Sequence, residues 1–186
     1  MSLLPLGLLS QGGGGGSGSP AFELIESQVL ASTATSVTFS SIPQTYKHLQ
    51  VRFTSRFTDA YTGSNFSFRV NGDTGANYAS HRIVNQSASI FADNLSATST
   101  PYLGFMPGGN ATANTFNGGI IDLLDYTSTV KTKTFRAFIG SQSFDRMSIG
   151  SGLWNSTSAV TSLTLREPSG LTLAIGCRFS LYGIKG

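Results

Sequence analysis

Charge is the scarcest property of this chain. Only 11% of its 186 residues are charged, less than half of the roughly 25% typical of soluble domains. Serine, threonine, asparagine and glycine take the place of Glu, Lys and Gln, and they favour strands and turns over helices. The composition therefore predicts an all-β protein. A chain of this length is expected to form one domain with a substantial core.

Residues suited to catalysis or metal binding are also few. The lone Cys177 excludes an intrachain disulfide and is expected to be a buried, unreactive thiol in a late apolar strand. The histidines, His48 and His81, have no further His or Cys at metal-ligand spacing. Asp122 and Asp125 in "IIDLLDY" would face opposite sides of a strand, which does not suit paired acid–base catalysis. We expect no catalytic residue, no metal, no cofactor and no enzymatic activity.

Basic residues are too dispersed to predict a nucleic-acid groove. The net charge is +3, and only "VKTKTFRAF" brings three basic residues close together. Lys131 and Lys133 alternate there as on the solvated face of a strand. The apolar stretch "LLPLGLL" is short, is broken by Pro5 and Gly7, and has no basic segment before it. It therefore resembles neither a signal peptide nor a membrane span, and we expect neither nucleic-acid nor membrane binding.

Short segments with strand-like alternation follow one another from residue 21 onward. In "YKHLQVRFTSRFT", for example, Leu49, Val51 and Phe53 share one face. "NGDTG" at 71–75 predicts a tight hairpin turn, and much of residues 85–117, which contain several prolines and glycines, is expected to be loop. "IIDLLDY" is interpreted as a strand. Residues 21–186 are thus predicted to form one antiparallel β-sandwich of about eight to ten strands, jelly-roll-like, with an immunoglobulin-like sandwich as the alternative.

Residues 1–20 differ abruptly from the rest and predict an extended N-terminal arm. A glycine-rich segment of ten residues spans roughly 18 Å on average and about 33 Å when fully stretched. Burying one leucine stabilises a complex by about 1.5–3 kcal/mol. We interpret the apolar residues before the glycines as binding a partner, with an arm folded on its own domain or a disordered tail as alternatives. These residues are Leu3, Leu4, Pro5, Leu6, Leu8 and Leu9.

Three stretches together resemble a group of tailed-bacteriophage virion proteins. They are "TFSSIPQTYKHLQVRFTSR", "FRVNGDTGANYASHRI" and the closing "FSLYGIKG", and the leader "SLLPLGLLSQGGGGG" is similar to the apolar, glycine-rich leaders of that group. The resemblance covers most of residues 1–85 and the last strand.

The resemblance implies a structural role in the virion, assembled in the host bacterial cytoplasm. Such proteins are capsid decoration (cement) proteins or tail, baseplate and fibre components, commonly homotrimers of β-sandwiches. The partners expected are therefore other copies of the chain and the major capsid protein, or else a tail or baseplate protein. We favour the cement role, because no fibre-like repeat or coiled-coil stalk is evident.

A carbohydrate-binding, lectin-like module is a further alternative. Several aromatic residues lie in or near turns, where their rings could stack on sugars, although core or interface packing explains most of them more simply. These candidate surface-loop residues are Tyr61, Tyr78, Tyr102, Phe105 and Trp154.

Overall fold

The computed structural model describes residues 20–142 and 145–186, which form twelve strands in two antiparallel sheets. The predicted all-β sandwich is confirmed. No helix among these residues is long and apolar enough to cross a lipid bilayer. The strands are β1 (Phe22–Val29), β2 (Ser36–Phe39), β3 (His48–Ser55), β4 (Gly63–Val70), β5 (Tyr78–Gln86), β6 (Ser89–Thr98), β7 (Gly104–Pro107), β8 (Asn117–Leu124), β9 (Lys133–Ser141), β10 (Arg146–Trp154), β11 (Leu163–Arg166) and β12 (Arg178–Ile184).

The strand order is that of a jelly roll with two inserted hairpins. The large sheet has the order β1-β12-β3-β8-β9-β10-β5-β6, and the small sheet has the order β2-β11-β4-β7. Without β5–β6 and β9–β10, two four-stranded sheets remain in the order of a jelly roll. Both hairpins join the large sheet beyond β8. We call the strands β9, β10, β5 and β6 the extension.

Aromatic and aliphatic side chains from alternate strand positions fill the space between the sheets. On β3, Leu49, Val51 and Phe53 are buried, as the alternation predicts. The ring of Phe53 lies 4.7 Å from that of Phe66 and 6.0 Å from that of Phe179, measured between centroids. Because Phe66 belongs to the small sheet and the other two rings to the large sheet, this cluster holds the sheets together.

Polar and aromatic contacts attach the extension to the small sheet. The Arg82 guanidinium donates to both carboxylate oxygens of Asp93, at 2.7 and 2.8 Å, and to the side-chain oxygen of Asn65 at 3.0 Å. The guanidinium of Arg146 lies 4.1 Å from the ring centroid of Phe105. Asn65 is on β4 and Phe105 is on β7, so the arginines of the extension contact both strands of that edge of the small sheet.

The expectation that much of residues 85–117 is loop holds only in part: residues 99–103 and 108–116 lie between strands, but β6 and β7 occupy the rest of the middle of the stretch. β6 runs along the edge of the large sheet and pairs only with β5, so most of its side chains are exposed and show no clear apolar alternation. β7 is short and lies at the edge of the small sheet, where the absent N–H of Pro107 is tolerated. With β5, these strands raise the number to twelve from the predicted eight to ten.

The tight turn predicted at "NGDTG" is present, but it does not form a hairpin. Asn71 and Gly72 have φ angles of 51° and 69°, and the Asp73 amide donates to the Val70 carbonyl at 2.9 Å. The expected hairpin is wrong, because β4 belongs to the small sheet and β5 to the large one. The turn therefore carries the chain from one sheet to the other.

Lys133 is buried, which contradicts its predicted place on a solvated face. Its side chain is 0% exposed, and its ammonium group donates to the carbonyls of Ser128, Lys131 and Thr157 at 2.6, 2.8 and 3.1 Å. Burial lowers the pKa of this amine. Lys131, by contrast, is exposed as predicted and donates to Asp125 at 2.8 Å. Lys133 thus joins the loop after β8 to the loop after β10.

We expect Lys133→Met to destabilise the fold by about 3 kcal/mol, because buried carbonyl groups lose a charged donor that an apolar side chain cannot replace. Urea unfolding followed by tryptophan fluorescence measures the change. The matched control is Lys131→Met, which removes an exposed amine and is expected to leave the unfolding midpoint nearly unchanged. Equal and small effects of the two substitutions would contradict the structural role of Lys133.

Candidate interaction surface

The outer face of the large sheet carries a continuous row of apolar side chains. Side chains alternate between the two faces of each strand, and strand register determines which outward residues become neighbours. Phe138 on β9 pairs with Ile120 on β8 and with Ile149 on β10, and Ile149 pairs with Ile83 on β5. We call Ile120, Phe138, Ile149 and Ile83 the apolar row. It crosses the strands at right angles, mostly over the extension.

The side chains of the apolar row are substantially exposed to solvent. The exposed fractions are 60% for Ile83, 56% for Ile149, 48% for Phe138 and 39% for Ile120. The apolar surface continues on one side through Met147 and Ile90, whereas the exposed Leu153 lies further along β10, beyond Ser151. Single exposed apolar residues are common on monomers, but contiguous patches mark interaction surfaces.

A ladder of polar side chains borders the apolar row. Gln50 donates to one carboxylate oxygen of Asp122 at 2.8 Å, and Arg136 donates to the other at 2.8 Å. Arg52 in turn donates to the side-chain oxygen of Gln50 at 2.7 Å. The register continues this line through Ser151 and His81. Where Gln50, Asp122 and Arg136 lie, the border is therefore polar and internally hydrogen-bonded. The apolar row itself has no ionic side chain, and the register places Arg52 at its end, beside Ile120.

The outer face is uneven. Depressions of about 510, 290 and 330 Å³ lie along it. The first is floored by Gly118 and Gly140, and a side chain on Gly140 would meet no atom within 4 Å. The second lies beside Ile120, Phe138 and Ile149. Ionic side chains also line these two depressions, Asp145 and Arg146 in the first and Asp122 and Arg136 in the second. The face thus offers shallow recesses of mixed polar and apolar lining to another side chain.

Two of the candidate surface aromatics are core residues. Tyr78 is 1% exposed, and its hydroxyl accepts the amide of Val70 at 2.9 Å and donates to the Asp73 carbonyl at 3.4 Å. Trp154 is 3% exposed, and its indole donates to the Asp73 carboxylate at 2.6 Å. This indole is the main reason that the pKa of Asp73 is lowered. Tyr78 and Trp154 therefore cannot stack on a sugar as the lectin-like alternative requires, and core packing, the simpler explanation, holds for both.

The remaining aromatic candidates do not form one platform with them. Tyr61 is 58% exposed and lies in the loop between β3 and β4. Tyr102 is half-buried, with the Arg82 guanidinium 5.7 Å from its ring centroid. Phe105 is half-buried on β7 under Arg146. The apolar arm residues, Leu3, Leu4, Pro5, Leu6, Leu8 and Leu9, lie outside the described residues.

The ionisable residues considered for chemistry are dispersed through the described part of the chain. Asp125 accepts from Lys131, which lowers the pKa of that carboxyl group, and Nδ1 of His48 accepts the Asp125 amide at 3.0 Å. Asp122 belongs to the polar ladder instead. Cys177 is buried, as predicted, just before β12, and burial raises the pKa of its thiol. Within the described ranges, no group of at least three His, Cys, Asp or Glu side chains could hold a metal ion.

The apolar row was not predicted from the sequence, although a signal for it exists. The pairs Ile83-Val84, Ile120-Ile121 and Phe138-Ile139 each place apolar residues on both faces of one strand. A strand that is apolar on both faces is expected to be covered on both. The alignment of these positions into one row depends on register, which links residues far apart in sequence.

The stretches on which the resemblance to phage virion proteins rests lie partly on the jelly roll and partly on the extension. Within the described residues they cover the end of β2 with β3, the end of β4 with the turn and most of β5, and most of β12. No protein-family model matches the sequence, and comparison with curated proteins gives no match.

A change at Tyr78 tests its place in the core. Burial raises the pKa of Tyr78 to about 12, from an ordinary 10.0. Between these pH values the unfolded chain releases a proton that the folded chain retains, so stability falls as pH rises, by at most about 1.4 kcal/mol per pH unit. Tyr78→Phe should remove this contribution. At neutral pH it should cost about 1–2 kcal/mol, because the Val70 amide loses its acceptor.

Unfolding free energies of the parent and of Tyr78→Phe, measured from pH 9 to 12, provide the readout. Burial also raises the pKa of Tyr46 and Tyr126, and because these act in both proteins, the difference isolates Tyr78. Tyr61→Phe is the control at neutral pH, where no loss of stability is expected from an exposed ring. Parallel pH curves for the parent and Tyr78→Phe would refute the buried position.

Proposed function

We propose that this chain is a non-enzymatic structural protein of a tailed-phage virion, most simply a capsid decoration protein. In this role the outer face of its large sheet packs against neighbouring subunits, and its N-terminal arm fastens it to them. The observation that carries the proposal is the exposed apolar row on the extension. The three stretches that resemble phage virion proteins support the choice of assembly.

The chemistry of the outer face fits an interface between subunits. Its centre is apolar and free of ionic side chains, and its border is a polar ladder with satisfied hydrogen bonds. Protein interfaces combine an apolar, charge-poor centre with a polar rim in the same way. Burial of the exposed isoleucine and phenylalanine side chains supplies a driving force that scales with the apolar area removed from water.

The low content of charged residues supports association of identical copies of the chain over a monomer in solution. A surface with few charges has little electrostatic repulsion between identical copies, since net charge far from zero is what keeps proteins apart. The net charge here is +3. A homotrimer is the assembly that the resemblance implies. A tail or baseplate position would use the same face and arm on a different neighbour.

Substitution of the two most exposed isoleucines of the row tests the interface. We expect Ile83→Thr with Ile149→Thr to leave the fold intact, because both side chains are exposed and threonine favours strands. Incorporation into particles should fall at least about tenfold per side chain, if each loses about 1.4 kcal/mol or more of apolar burial. The control is Val130→Thr, which changes a side chain that is 83% exposed but lies in the loop after β8.

The readout is the copy number of the chain in purified virions, measured by quantitative mass spectrometry against the major capsid protein. Hundreds of parent copies per particle would support capsid decoration, and a few dozen or fewer would place the chain in the tail. Absence of the parent chain from virions would refute the virion proposal. Equal incorporation of the double variant and the control would refute the role of the face.

A further inference from the structure

The apolar row has the length of a short extended peptide. Through the register Ile120–Phe138–Ile149–Ile83–Ala92, it spans five adjacent strands. Neighbouring strands lie about 4.8 Å apart, so the row is about 19 Å long. Residues 3–9 make six steps along the chain, which is about 20 Å when extended. The two lengths agree.

Residues 3–9 and the apolar row are also alike in that both are apolar and uncharged. Residues 3–9 contain five leucines and Pro5, and no charged side chain occurs in the sequence before Glu23. The apolar row contains no ionic side chain, and the recess beside Phe138 and Ile149 is bordered by Asp122 and Arg136, which pair with each other at 2.8 Å. A segment that is apolar and uncharged fits the row, because the charges next to the row already have each other as partners.

The start of β1 lies far from the apolar row of the same copy. Ser27 pairs with Ser180, which pairs with Arg52, and Arg52 pairs with Ile120 of the apolar row. Ser27 therefore lies on the line of the row, and Phe22 lies about 15 Å further along β1. The Ala21 carbonyl accepts the Lys185 amide at 3.1 Å, so pairing continues past Phe22 in the same direction. At Pro20 and Ala21 the chain therefore leads away from the row of its own copy, so that residues 3–9 could cover that row only if the linker doubled back.

The linker is long enough to reach another subunit. Eleven steps separate Leu9 from Pro20, and most of the intervening residues are glycine or serine. A linker of this composition spans about 17–20 Å on average and at most about 36–40 Å. That reach suffices for a copy packed against the end of the sheet where β1 begins.

We infer that residues 3–9 of one copy lie across the apolar row of a neighbouring copy. The inference rests on the proposed function, because it names the occupant of the face that the proposal assigns to assembly. The leucines cover the isoleucine and phenylalanine side chains of the neighbour, and the polar ladder forms the rim of that contact. Each copy thereby donates one arm and receives another.

Disulfide trapping in the full chain tests the inference. The double variant Leu6→Cys with Ile149→Cys places one thiol at the middle of the arm segment and one at the middle of the row. The native Cys177 is buried, and its thiol contacts the Arg56 backbone, so it stays out of the reaction. Under mild oxidation we expect covalent dimers and larger species on non-reducing gels. Their yield should exceed at least tenfold that of the matched control, Leu6→Cys with Val130→Cys.

Other occupants give different products. A disulfide confined to single chains would show that the arm covers its own row, and dimers from Ile149→Cys alone would show that two faces meet. Either result, or a yield no higher than the control, overturns the inference. Leu6→Cys with Ile83→Cys is the second pair, in case cysteine at 149 disturbs β10. The proposed function survives each of these outcomes if the threonine variants still fail to incorporate, so the two failures are distinguishable.

Discussion

The alternation of side chains across a sheet is the constraint on which this molecule depends. Every second residue of a strand points away from the core, so a sheet covered on one side must expose the other. In the jelly roll, the small sheet covers the inner face of β1, β12, β3 and β8. The two inserted hairpins widen the large sheet, and their outer face has no cover within the described chain. That face carries isoleucine and phenylalanine where a free surface would carry charges.

The inner face of the extension belongs to the core and also makes directional polar contacts. Tyr78, Phe135 and Trp154 are buried there, and the Phe135 ring centroid lies 4.9 Å from that of Phe68 on the small sheet. Toward the small sheet, Arg82 is buried in hydrogen bonds to Asp93 and Asn65, and Arg146 stacks on Phe105. These directional contacts fix the position of the hairpins, because a guanidinium group holds its partners in a planar geometry. Toward solvent, the apolar row makes no such contacts and is available for burial by a partner. The inner face of these strands thus fixes the extension on the small sheet, and the outer face is the one that a partner could bury.

Much of the fold could be predicted from local patterns. Alternation in "HLQVRF" identified β3 and its inward face, and Asn71-Gly72 identified a turn. The predictions that were wrong depend on contacts between residues that are far apart in the sequence. Lys133 lies two residues before Phe135 on β9, so both side chains point toward the core. Burial of a lysine there depends on carbonyl groups from two loops that accept hydrogen bonds from its ammonium group, and these loops are distant from each other in sequence. The turn at Asn71 does not reveal that β4 and β5 enter different sheets. β6 lacks apolar alternation because most of its side chains, on both faces of the strand, are exposed to solvent.

The interaction surface was less predictable than the fold, for the same physical reason. The sequence drew attention to the leucines before the glycine run and to five aromatic residues, two of which, Tyr78 and Trp154, belong to the core. The apolar row consists of residues up to 66 positions apart, from Ile83 to Ile149, and only strand register places them side by side. Adjacent apolar residues such as Phe138 and Ile139 indicate that both faces of a strand are covered, but they do not indicate which part of this chain or of a partner covers the outer face.

Hydroxyl-radical footprinting of the chain, in its assembled particle and after dissociation, is the most direct measurement of whether the outer face is covered. Met147 and Phe138 are 43% and 48% exposed in the single chain, and both side chains are readily oxidised and detected by mass spectrometry. If the outer face is buried by neighbours, both residues are strongly protected in the particle, while Tyr61 is labelled to the same extent in the two states. Equal labelling of Met147 and Phe138 before and after dissociation would contradict burial of the outer face.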